Sequence, residues 1–64
     1  MYRIRHIFTR KYVSQLDGSN NPIYADSDEE QAFFNFQSDA NAFMGRMSFV
    51  QRALHQAVLI SEDF

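Results

Sequence analysis

The chain has 64 residues, a net charge of −2, two His and no Cys, and is 45% hydrophobic and 16% aromatic. That length holds one small domain and excludes a dinucleotide-binding half, a kinase lobe or a barrel, each of which needs more chain. Without cysteine there are no disulfides and no thiolate zinc sites, and the slightly acidic balance lacks the basic excess of duplex DNA binders.

Residues 2 to 15 read as one long strand. Tyr2, Ile4, His6, Phe8, Arg10 and Tyr12 alternate with Arg3, Arg5, Ile7, Thr9, Lys11 and Val13, and β-branched and aromatic residues are frequent. Asp17-Gly18-Ser19-Asn20-Asn21-Pro22 is the strongest punctuation in the chain, with Asp-Gly or Asn available for the positive φ a reversal needs. A short strand, Ile23-Tyr24-Ala25, is expected to return from it and pair with the first, Pro22 being tolerable at a strand start.

Two readings compete for the next segment. Ser27 and Glu30 have capping-box spacing and would open a helix running from Asp28 to Phe36. Alternatively, Asp26 to Glu30 form an acidic turn leading into a third strand, Ala32 to Phe36. Phenylalanine favours strand over helix, and the strand is the preferred reading. After a cap at Ser38 or Asp39, the apolar residues Ala40, Phe43, Met44, Met47, Val50, Leu54, Ala57 and Val58 recur at helical spacing through Ile60, followed by a short tail from Ser61 to Phe64. The predicted fold is α+β: a small antiparallel sheet of two or three strands packed under one long C-terminal amphipathic helix.

A chain of this size buries only ~60% of the surface its unfolded form exposes, leaving a margin on the order of 3–5 kcal/mol from a single core. Self-association is the expected supplement. The surfaces expected to serve it are Phe33, Phe34 and Phe36, together with the second helix face carrying Gly45, Phe49, Ala53 and Ile60, where small residues admit a second helix. Met1 to His6 lacks the apolar run of a secretory signal. The longest apolar stretch, Ala57 to Ile60, is far short of the ~20 residues that cross a bilayer, so a cytoplasmic protein without membrane contact is expected.

Charge is segregated along the chain. Arg3, Arg5, Arg10 and Lys11 lie in the first strand, while Asp17, Asp26, Asp28, Glu29, Glu30 and Asp39 lie in the middle. Tyr2, His6 and Tyr12 interleave with the cations, giving Tyr2, Arg3, Arg5, His6, Arg10, Lys11 and Tyr12 as a candidate platform for a small anion, a nucleotide or single-stranded nucleic acid: cations meet phosphates and aromatic rings stack bases. The plainer alternative is that these cations pair with the acidic segment across the hairpin. A ribbon-helix-helix DNA binder fits poorly, because a turn-rich stretch separates the strand from the first possible helix.

The acidic cluster at Asp26, Asp28, Glu29 and Glu30 does not follow a calcium-loop pattern. Gln31 and Gln37 stand where glycine and glutamate would be required, so no metal or cofactor is expected. No nucleophile elbow, phosphate-cradling glycine loop or helical His-Glu metal pair is present. His6 and His55 are the remaining candidates for a general base, with carboxylates from another subunit, in a small hydrolase of a nucleotide-like ligand. The preferred reading is a non-enzymatic oligomeric binding protein that sequesters or occludes a partner. It resembles, in size and general character, the small accessory inhibitors of phages and mobile elements.

Overall fold

A computed structural model describes residues 1–60. The order of elements is β1 (Tyr2–His6), β2 (Val13–Leu16), β3 (Pro22–Tyr24), a single 3-10 turn at Asp28–Glu30, α1 (Gln37–Met44), α2 (Phe49–Ala53) and β4 (His55–Leu59). Two antiparallel pairs result, β1 with β4 and β2 with β3. The fold is α+β, but it ends in a strand.

β1 is central to the architecture. Along one edge it pairs with β4 from Tyr2↔Leu59 to His6↔His55. Along the other it meets Phe34 through a bridge at Tyr2 and Tyr12 through a bridge at Arg5. Ile4, at its middle, is fully buried with Val13, Ala40 and Met47, and Tyr2, Leu16, Tyr24, Phe34, Phe43, Met44 and Ala57 pack around them. The helix α1 lies on the β1–β4 sheet over this cluster.

The long strand expected at 2–15 is two strands. Between them the chain reverses at Ile7–Arg10, where the His6 carbonyl accepts the Arg10 N–H (3.0 Å) and the Lys11 carbonyl accepts the His6 N–H (2.9 Å). The reversal changes the alternation, so Ile4 and Val13, placed on opposite faces by a continuous strand, meet in one core. The Asp17–Asn21 reversal is where the sequence puts it. Its left-handed residue is Asn20 (φ 62°), while Gly18 keeps a negative φ. β3 returns to pair with β2, with Pro22 opposite Leu16.

The segment 27–36 realises neither competing reading in full. Ser27 and Glu30 do meet, the hydroxyl donating to the carboxylate (3.1 Å), but the helix they open lasts one 3-10 turn. It stops because the chain is pulled onto the sheet: Ala32 N–H donates to the Val13 carbonyl, and Phe34 exchanges two backbone bonds with Tyr2. The predicted third strand is thus reduced to one bridging residue.

The long C-terminal helix is the main correction. The apolar periodicity from Ala40 to Val58 is divided among α1, an elbow at residues 45–48, α2 and β4. Gly45 ends α1, Met47 anchors the elbow in the core, and Ser48 starts α2 by accepting the Gln51 N–H (3.3 Å). Beyond Leu54, helical spacing loses to the free edge of β1. Pairing there satisfies the backbone groups of Arg3, Arg5 and their partners, and it puts Ala57 against Ile4, where a continued helix would leave that edge open. The tail expected at Ser61–Phe64 lies outside the described residues.

Candidate functional site

Two clusters of polar side chains occupy opposite faces of the β1–β4 sheet. On the core face, His6 of β1 and His55 of β4 are direct cross-strand partners, their ring centroids 5.0 Å apart and nearly perpendicular. Non-adjacent in sequence, they are brought together by strand register alone. Tyr24 of β3 completes the cluster, stacked on His55 at 5.8 Å.

Hydrogen bonds hold each ring in place. His55 is 5% exposed, and its Nδ1–H donates to the Gln51 carbonyl at 2.6 Å. In the neutral form of this ring the lone pair is then on Nε2, 2.8 Å from the Tyr24 hydroxyl, which donates to it. In His6 the lone pair is on Nδ1, which accepts the backbone N–H groups of Phe8 (3.1 Å) and Thr9 (3.2 Å). Both basic nitrogens are thus engaged within the chain, and neither is directed at a substrate proton as a general base requires. What the cluster does chemically is tie three strands and a turn together. Burial also raises the pKa of the Tyr24 hydroxyl, since the phenolate would lose its hydration.

The second cluster lies on the outer face, where the acidic middle of the chain meets the basic strand. Arg3 Nη1 donates to the Asp28 carbonyl (3.1 Å) and to Gln31 Oε1. Gln31 in turn donates from Nε2 to the Asp28 carboxylate (3.2 Å), so the acid holds the amide and the amide holds the guanidinium. Arg3, Tyr12, Asp28, Gln31 and Ile60 line an open cleft of about 220 Å³.

The seven residues expected to form one anion platform are distributed over several places. Arg3 and Tyr12 line the cleft, and Arg5 is beside them as the cross-strand partner of Tyr12. Tyr2 packs against the core, His6 belongs to the imidazole cluster, and Arg10 and Lys11 are exposed at or next to the first turn. Of the expected contact residues, Phe33, Phe36, Phe49, Ala53 and Gly45 are exposed, Ile60 is half-buried in the cleft, and Phe34 packs inward on Phe43 at 5.3 Å. Asp26, Asp28, Glu29 and Glu30 are exposed, and among the described residues no three His, Asp or Glu side chains converge as metal ligands. No helix among the described residues is long and apolar enough to cross a membrane.

Sequence reasoning did not single out Tyr24 or Gln31. Tyr24 carries no local signal for its role, which depends on the β2–β3 pairing. Gln31 had one: a long amide immediately after an acidic turn, within reach of whatever that turn covers. Comparison with known protein families, curated proteins and solved structures returns no match.

Proposed function

We propose that this chain is a small, non-enzymatic, cytoplasmic binding protein that acts by protein contact, associating first with its own copies and then occluding a protein target. One observation carries the reading: among the described residues, more large apolar side chains are exposed than are fully buried. Only Ile4, Val13, Ala40 and Met47 form the buried hydrophobic core, whereas Ile7, Phe8, Ile23, Phe33, Phe36, Phe49, Val50 and Leu59 are exposed, Phe8 and Phe49 by 75% and 77%.

The magnitudes favour coverage of that surface. Fully burying one Phe or Val side chain is worth ~1.5–3 kcal/mol, comparable with the whole ~3–5 kcal/mol margin of a core this small. Phe49 and Val50, adjacent at the start of α2, are the strongest contact candidates. The engagement of both imidazole lone pairs within the chain supports the non-enzymatic side of the reading over the hydrolase.

Sedimentation equilibrium tests it. Wild-type protein is expected to associate at concentrations of about 10–100 μM, a range corresponding to roughly 5–7 kcal/mol of contact free energy. Phe49→Asp is expected to shift it to monomer while the far-UV circular dichroism is unchanged. A wild-type chain that stays monomeric at about 1 mM, near −4 kcal/mol, would overturn the proposal.

A further inference from the structure

We propose that the cleft on the outer face of β1 binds a mononucleotide, its phosphate held by Arg3 and Arg5 and its base lodged between Tyr12 and Ile60. This site is independent of the apolar surface invoked above.

The cations come first. Arg3 and Arg5 stand two residues apart on one strand and so on one face, about 7 Å apart at the backbone, which lets two long side chains converge on one phosphate. Arg3 is already oriented, because Nη1 is fixed by two neutral acceptors, the Asp28 carbonyl and the Gln31 amide oxygen. Those acceptors are neutral and leave its charge in place, and among the described residues its other nitrogens make no hydrogen bond. Arg5 is half-buried between its cross-strand partners Tyr12 and Gln56, and its Nε is shut from water without a hydrogen-bond partner. A buried donor without an acceptor is destabilising, so among the described residues Arg5 is a place where the fold leaves hydrogen-bonding capacity unmet. A phosphate in the neighbouring cleft would approach the Nη edge of this guanidinium and compensate its charge, the Nε edge being closed.

The walls identify the rest of the ligand. Tyr12 offers an aromatic ring beside the two guanidiniums, and Ile60 an apolar flank across the cleft. A planar base suits such a pair, because every base has a π-face that stacks on an aromatic ring. Asp28 also lines the cleft and is an acceptor suited to ribose hydroxyls. At about 220 Å³ the open cleft is smaller than the ~300–1,000 Å³ usual for drug-sized ligands, a size that suits one base with its phosphate better than a dinucleotide.

The test is isothermal titration calorimetry with AMP, CMP, adenosine, inorganic phosphate and benzoate, together with circular dichroism to check the fold. Saturable binding of AMP or CMP at about 1 mM or tighter is expected, with adenosine and phosphate each at least about tenfold weaker, since each loses one half of the contacts. Arg5→Gln should weaken nucleotide binding about tenfold or more, Arg5→Lys less, and Arg46→Gln, on the exposed elbow, not at all. If Arg3→Gln disturbs the Asp28–Gln31 turn, the Arg5 pair of variants carries the comparison. The proposal is overturned if no nucleotide saturates, if phosphate or benzoate binds as well as AMP, or if Arg5→Gln binds like wild type.

Discussion

The chain reverses twice, at Ile7–Arg10 and at Asp17–Asn21, and the two turns use one device with different chemistry. At the second, the Asp17 carboxylate accepts the N–H groups of Ser19 (2.8 Å) and Asn21 (2.9 Å). At the first, the His6 imidazole accepts those of Phe8 and Thr9. In both, a side chain at or next to the end of a strand gathers two orphan donors. The carboxylate is exposed and acts only on its own loop. The imidazole is also a ring of the His6–His55–Tyr24 cluster, in which His55 is buried and the other two half-buried, so the first turn is coupled to β3 and β4. A turn residue therefore matters to the fold in proportion to what else holds it.

The largest effect should come from His6→Ala. It removes the Nδ1 acceptor shared by two N–H groups of the first turn and the ring that packs on His55 and Tyr24, and should cost about 2–3 kcal/mol in urea denaturation, most of the margin of so small a core. If this variant lost no more than Asp17→Ala, the two turns would be equivalent and the coupling wrong.

Tyr24→Phe probes the coupling from its far end. It leaves the buried His55 Nε2 without a donor, at about 1–3 kcal/mol, although Tyr24 is distant from the first turn in sequence. The same variant has a signature in pH. Burial raises the folded-state pKa of Tyr24 above its ordinary 10.0, so the folded chain keeps a proton that the unfolded chain has already released. Stability should be unaffected by this group below pH 10 and fall as pH rises from there through the folded value. Denaturation curves across that window should be flatter for Tyr24→Phe than for wild type.

Asp17→Ala should cost about 1 kcal/mol, because the Ser19 and Asn21 N–H groups it frees are exposed and water replaces the carboxylate. Hydrogen exchange should quicken at those two amides and not at Tyr24 or His55, whereas His6→Ala should quicken exchange in β1, β3 and β4 together.

The same contrast explains how much was legible in the sequence. Asp17-Gly18-Ser19-Asn20-Asn21-Pro22 names its turn in local chemistry, and Ile23-Tyr24 follows as a strand for the same reason. Ile7 to Lys11 contains no Gly, Pro, Asn or Asp, and its turn residue is a histidine that also reads as part of an alternating strand. The helical spacing from Ala40 to Val58 was legible and half used: its first part is α1, but the residues after Leu54 answer to the open edge of β1. Strand edges are not visible in periodicity. The candidate sites divide likewise. The arginines of the cleft and the meeting of basic strand with acidic middle could be read from charge segregation, while the pairing of His6 with His55 is a product of register. Which of Phe33, Phe34 and Phe36 turns inward was set by the single bridge at Tyr2.

The smallest effects sharpen the comparison at the backbone. Arg10 sits at φ 64°, in the left-handed region that costs an ordinary L-residue ~1–2 kcal/mol, whereas Gly18 keeps a negative φ and has open space where a Cβ would go. Each turn thus has the residue the other one wants. Arg10→Gly relieves the steric cost but adds unfolded-state entropy, for a net gain of about 0.5 kcal/mol. Gly18→Ala gains a similar ~0.4–1 kcal/mol by restricting only the unfolded chain. The two positions are in separate loops, so the double variant should be more stable than wild type by their sum, within about 0.5 kcal/mol. Loss of stability in Arg10→Gly would mean that the arginine stem holds the first turn, and that this turn depends on more than the His6 ring.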